Sequence, residues 1–185
     1  NHRKMTPSNL YITLSNGNKI IAVAESSSAP EQGYIVEQFL LPLLSLSDTQ
    51  KELEFLEENA TMNELRVNAT YCYTINLIKK TVRFYEENYH ERTDIFSKGK
   101  DLTKRYVDYL LLESDLEKAV KEQFKHLSNR ELIKRANSLP DFKWDDEGAE
   151  LQRRHRVSNG RFDYIMRGNT LVILYDLDNP LPIAH

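Results

Sequence analysis

The chain has 185 residues, a 40% hydrophobic fraction, and 25 basic against 28 acidic side chains for a formal net charge of -3. That length suits one domain with a core of its own, and the mild acidity argues against a general nucleic-acid coat, which would be basic. The single cysteine excludes an internal disulfide and points to a reducing compartment, so a cytoplasmic location is expected, and no apolar run approaches the ~20 residues of a membrane span.

Residues 1–9 are expected to lie outside the fold, with Met5 as the natural start, 10–180 to form a single α+β domain, and 181–185 to be a tail. Leu10, Ile12 and Leu14 alternate with Tyr11 and Thr13, the period of a half-buried strand. Asn16-Gly17 then supplies a two-residue hairpin turn, and residues 19–24 form the return strand. Ile35, Val36, Phe39, Leu40, Leu43 and Leu44 follow at helical spacing. Pro42, which lacks an N–H, predicts a kink or break in that helix. The surrounding leucines predict a fully buried segment, the other option being a surface that meets a partner. Ser47 and Gln50 fit a capping box for a short helix to Asn59, whose Glu52, Glu54, Glu57 and Glu58 form an acidic outer face.

Residues 61–89 carry Leu65, Tyr71, Ile75, Ile78, Val82, Tyr85 and Tyr89 on neighbouring helical rows, uninterrupted by Gly or Pro. Thr61 with Glu64 reads as the capping box of this central helix. After a polar linker at 91–100, residues 101–127 predict a second long helical segment, either one helix or two with a restart at Ser114 and Glu117. The two long segments would form an antiparallel pair. Ser128 and Glu131 box a short helix ending near Asn137, Phe142-Lys143-Trp144 reads as an anchoring loop, and a further helix is expected from Asp145 to about Arg156. A second hairpin spans 160–178, turning at Arg167-Gly168-Asn169-Thr170, and the continuous apolar run 171–175 predicts a strand covered on both faces. The expected fold is therefore α+β, with the N- and C-terminal β-hairpins joined in one four-stranded antiparallel or mixed sheet against two long antiparallel helices.

Two clusters carry the candidate chemistry. Asp163 begins one strand of the last hairpin, and Asp176 and Asp178 end its partner, where carboxylates can hold a divalent metal. This stretch resembles the PD-(D/E)xK nuclease pattern, with Asp163 in the place of the first acid and Tyr175 or Asp176 in that of the second. Leu177 or Asp178 stands where that pattern has Lys. The resemblance implies a phosphodiesterase using Mg²⁺ or Mn²⁺ on Asp163 and Asp176, with Asp178 as a further acid and Arg161 on phosphate. The second cluster, Arg153, Arg154, His155, Arg156 and Arg161, suits an anion, a nucleic-acid backbone or the acidic surface of a protein.

Other pairs read as structural. Glu87 and His90 have the Glu-x-x-His spacing only once, Glu122 and His126 are a chance helical pair, and Cys72 reads as a small buried hydrophobe within the central helix. Asn59-Ala60-Thr61 and Asn68-Ala69-Thr70 match the glycosylation acceptor, a pattern that chance supplies often. With no constellation complete, the leading expectation is a non-catalytic interaction or regulatory protein, inhibitor-, immunity- or adaptor-like, that binds another macromolecule, a protein first, without a cofactor. The metal-dependent nuclease is the alternative.

Overall fold

The computed structural model describes residues 6–112, 115–140 and 145–180, save the side chain of Leu116. The proposed anchoring loop at Phe142-Lys143-Trp144, the proposed restart at Ser114, and residues 1–5 and 181–185 lie outside them. The class is mixed α and β. The chain divides into two compact units, Asn1–Leu110 and Leu111–His185.

The first unit is built on a six-stranded mixed sheet. Its strands are β1 (Ser8–Thr13), β2 (Lys19–Ala24), β3 (Thr61–Met62), β4 (Tyr71–Asn76), β5 (Thr81–His90) and β6 (Ile95–Asp101), in the order β3-β2-β1-β4-β5-β6. β1 pairs antiparallel with β2 and parallel with β4, so the N-terminal strand is central. Ser8 and Asn9, expected outside the fold, are strand residues and fully buried. The first hairpin forms as expected, but not with a two-residue turn. Gly17 N–H donates to Leu14 O (2.9 Å) and Leu14 N–H to Asn18 O (2.8 Å), and Gly17 alone takes a positive φ, +90°. This is the longer loop in which one left-handed glycine closes a bulge.

The long helix expected over residues 61–89 is instead β3, β4 and most of β5. Its apolar spacing satisfied period 3.6, but Tyr71, Tyr73 and Ile75, then Val82 and Phe84, also recur at period 2, and that period governs burial. β-Branched and aromatic residues dominate both stretches, which fits a pleated sheet better than a helix. Between them Asn76 Oδ1 accepts from the N–H groups of Ile78 and Lys79 (both 3.0 Å), and Lys80 takes φ +57°, which closes a turn where a helix would have continued. Thr61 caps nothing. It is paired with Val23 in the sheet, and Glu64 binds Arg66 instead. The supposed linker at 91–100 contains most of β6.

Helices cover one face of this sheet. A short 3₁₀ turn (Pro30–Gln32) leads to a π-helix (Ile35–Leu40), which passes into α1 (Leu41–Ser45). Leu41 N–H reaches back five residues to Val36 O, and Pro42 sits in the first turn of α1, where its missing N–H costs little. The sequence break expected at Pro42 is thus a change of helix type. The segment is not buried all round, because Leu41 is 41% exposed. α2 (Thr49–Asn59) follows, capped by Asp48 accepting from Gln50 and Lys51 N–H, not by Ser47. Leu10, Ile12, Ala22, Tyr73, Ile75 and Phe84 of the sheet pack with Phe39, Leu43 and Leu56 and with Tyr106 of α3 (Thr103–Leu111).

Glu52 does not belong to the acidic outer face. It is fully buried, and its carboxylate accepts from Ser15 N–H (2.9 Å) and from the Ser15 hydroxyl. This ties the first hairpin turn to α2.

The second unit contains α4 (Asp115–Phe124), α5 (Asn129–Asn137), α6 (Asp145–Val157) and the hairpin β7 (Phe162–Arg167) and β8 (Thr170–Asp176). The expected pair of long helices is therefore absent among the described residues: 101–127 holds two short helices, α3 and α4. The Ser128–Glu131 capping box is present in both directions. β7 and β8 form their own two-stranded sheet, so the terminal hairpins do not share one. Val120, Phe124, Leu132, Ile133, Leu151 and Phe162 form this unit's core. β8 is not covered on both faces, since Leu174 is 46% exposed. Its edge is closed by one amide: Asn137 donates to Leu171 O (3.0 Å) and accepts from Leu171 N–H (2.9 Å).

Candidate functional site: the open face of the six-stranded sheet

The acids expected to gather on the last hairpin are held apart. Register pairs Phe162 with Asp176 and Asp163 with Tyr175, so Asp163 and Asp176 stand at adjacent positions of the pleat, on opposite faces. Each also has its own work. Asp163 Oδ1 accepts from Tyr164 N–H (2.8 Å) and lies 3.4 Å from His155 Nδ1. Asp176, buried, accepts from the Asn129 amide (2.8 Å) and Asn179 N–H (3.2 Å). Asp178 pairs with Arg161 through its Nε (2.8 Å) and Nη2 (2.7 Å). Among the described residues no group of three His, Cys, Asp or Glu could hold a metal ion together.

The arginine cluster is likewise occupied, apart from Arg156. Glu150, 1% exposed, takes a two-pronged contact from Arg153 (2.8 and 2.9 Å) and another from Arg154 (2.9 Å). Arg154 also donates to Asn129 Oδ1 (3.0 Å) and Phe124 O (2.7 Å), which joins the starts and ends of three helices. Burial pushes the Glu150 carboxyl up, and its hydrogen bonds from Arg153 and Arg154 more than reverse this, leaving its pKa below the ordinary carboxylate value. His155 Nδ1 lies 2.8 Å from Phe162 O. Arg156 is exposed.

Glu87 and His90 belong to one strand at odd spacing and face opposite ways, and Glu122 is held by Lys125. Cys72 lies in β4, not a helix. Burial, then the Glu87 charge, push its thiol up to about 12, so it is protonated and inert.

What the sheet leaves open is its second face. Pairing places Ile21 and Thr74 on either side of Tyr11, Lys19 beside Thr13, Cys72 beside Asn9, and Arg83 beside Thr74. Cross-strand partners share a face, so all of these point away from the helices. One end is covered. The connection from β3 to β4, residues 63–70, must cross β2 and β1, and Asn9 holds it by donating to Arg66 O (3.1 Å) and accepting from Arg66 N–H (2.7 Å). Tyr11 on β1 spans β4 and donates to Glu87 Oε2 on β5 (2.9 Å), which also accepts from the Asn9 amide (3.0 Å). Burial, then this hydrogen bond, push the Tyr11 phenol well above its usual value. Glu87 stands beside a bulge that displaces β6 between the Tyr85 and Glu87 pairs.

Beyond the crossing connection the face is uncovered. Tyr11, Thr13, Lys19, Ile21, Asn63 and Thr74 line a groove of about 380 Å³ there. Ile21 is 36% exposed, Lys19 makes no hydrogen bond or ion pair among the described residues, and Thr74 Oγ1 is buried without a partner. Such a groove can bind: it offers an aromatic ring and an aliphatic side chain beside one ammonium and a few neutral donors. It has no nucleophile–base pair. The outward alternation of Tyr11 and Thr13 with the core residues of β1 is the sequence signal for two of these six residues. Asn63 and Thr74 were hidden by assignment to a helix.

No protein-family model, no curated protein and no solved structure matches this chain.

Proposed function

We propose that this chain is a non-catalytic binding protein that engages another macromolecule, a protein, through the open face of its six-stranded sheet. The observation that carries the reading is the groove beside Ile21 and Lys19, on a sheet whose other face packs the core against helices. The occupied acids and Arg153, Arg154 and Arg161 of the second unit support it, because these side chains, suited to chemistry or to phosphate, are engaged within the fold instead. No described helix is long and apolar enough to cross a membrane. A reducing cytoplasm is part of the proposal and suits the protonated Cys72.

The test is capture from extract of the native host, with wild type beside Ile21→Asp, an exposed position that leaves the core untouched. One partner retained stoichiometrically by wild type and lost by the variant is the expected result. A partner held equally by both, or hydrolysis of a phosphodiester by the wild type with added Mn²⁺, overturns it.

A further inference from the structure

We infer that the groove on the open sheet face receives an acidic side chain of an extended protein segment, with an apolar neighbour of that side chain lying on Tyr11 and Ile21. This rests on the binding reading above and names the partner's chemistry. Three observations lead to it. Lys19 brings a positive charge to the groove and makes no ion pair among the described residues. A carboxylate beside it would gain a charge-assisted hydrogen bond at little cost in desolvation, since Lys19 is exposed. The Asn63 amide and Thr13 hydroxyl, neither with a side-chain hydrogen bond among the described residues, stand along the same groove and can donate to the second carboxylate oxygen. Between them the exposed edge of Ile21 and the Tyr11 ring offer apolar contact. An extended strand, whose alternate side chains fall on one side, presents an acid and an apolar residue at matching spacing.

A nucleic acid fits less well. Its affinity grows with the number of phosphates neutralised. The other cations of this face are engaged: Arg83 with the Tyr85 hydroxyl (3.3 Å) and Asp101 (3.8 Å), and Lys98 over the Tyr85 ring (5.0 Å). The one ammonium of this groove, without an ion pair among the described residues, suits one carboxylate.

The experiment titrates the full ¹⁵N-labelled chain with an N-acetylated, C-amidated heptapeptide alternating Glu and Val. The same peptide with Gln for Glu and a single-stranded oligothymidine serve as comparisons. Expected are saturable amide shifts confined to β1, β2, Asn63 and Thr74, at least tenfold weaker binding of the Gln peptide, loss of binding in Lys19→Glu, and retention in Lys19→Arg. Unchanged thermal midpoints would show that both variants fold. Equal binding of the Gln peptide, tighter binding of the oligonucleotide, shifts centred elsewhere, or the same shifts produced by raising protein concentration alone would each overturn the inference. If the peptide fails while Ile21→Asp still abolishes capture of a host partner, the binding reading stands and only the acidic chemistry is wrong.

Discussion

Glu150→Ala tests whether the second unit depends on its arginine clamp. The carboxylate is 1% exposed and holds two guanidiniums, and one of these, Arg154, also joins the end of α4 to the start of α5. Removing one partner of a buried ion pair costs about 3–5 kcal/mol. Arg153 and Arg154 keep 19% and 12% of their side-chain surface in water and recover part of that, so the lower end, about 3 kcal/mol, is expected. A unit of about 75 residues has a total stability of roughly 4–11 kcal/mol, so the loss is a quarter to three quarters of it. With a urea slope of about 1 kcal/mol/M for so small a unit, the midpoint should fall by about 3 M. Circular dichroism follows the transition. The pH dependence gives a second readout. The folded pKa of Glu150 lies below its unfolded value, so its stabilisation is present above the ordinary carboxylate range, about 4.3, and is lost as pH falls through the lower folded value. The variant should lack that part of the acid destabilisation. A midpoint shift below about 0.5 M, with an unchanged acid profile, would refute the reasoning.

Tyr11→Phe removes a hydrogen bond to a carboxylate and should cost about 1.5–3 kcal/mol in urea unfolding at pH 7. Because the Tyr11 pKa is raised on folding, its contribution is present below the ordinary phenol value and lost as pH rises through the higher folded one, so the variant should decline less steeply above about pH 10. An identical alkaline slope in both proteins would contradict this. Asn137→Ala removes both bonds at the β8 edge and should lower stability by about 1–3 kcal/mol, read as a reduced thermal midpoint, with no change at all as the contrary result. The Cys72 thiol should react with iodoacetamide at pH 8 only as fast as the first unit opens, followed by mass spectrometry, and labelling within seconds in the native protein would be inconsistent with its burial.

The parts of the fold readable in the chain were those fixed by local chemistry. The Ser128–Glu131 box and the glycine turn at Gly168 need only a few neighbouring residues, and both form as read. Residues 71–90 misled because a stretch can satisfy periods of 2 and 3.6 together, and there the β-branched and aromatic content was the better guide. Glu52 was read as solvated because nothing near it in sequence announces Ser15, 37 positions earlier, as its partner. The same limit applied to the acids and arginines of the last hairpin. Their residue types suit metal or phosphate, and only the register and the pairings with Asn129, Arg161 and Glu150 show what they hold. Four of the six groove residues, Tyr11, Thr13, Lys19 and Ile21, lie on the first hairpin, whose two strands are legible in the sequence. The other two come from distant pairings that local patterns do not encode: Thr74 from a parallel neighbour more than 60 positions from Tyr11, and Asn63 from the chain just past β3, where its N–H donates to Ile21 O.

The central position of β1 has a consequence for biosynthesis. The antiparallel flank of this strand is satisfied as soon as Lys19–Ala24 leaves the ribosome, but its parallel flank waits for Tyr71–Asn76, after all the helices of that interval have been made. Until then one long side of Ser8–Thr13 displays bare amides and carbonyls, and joining it requires closing a loop of about 60 residues. Nascent chains halted short of β4 should therefore bind chaperones and clump more than the full chain does.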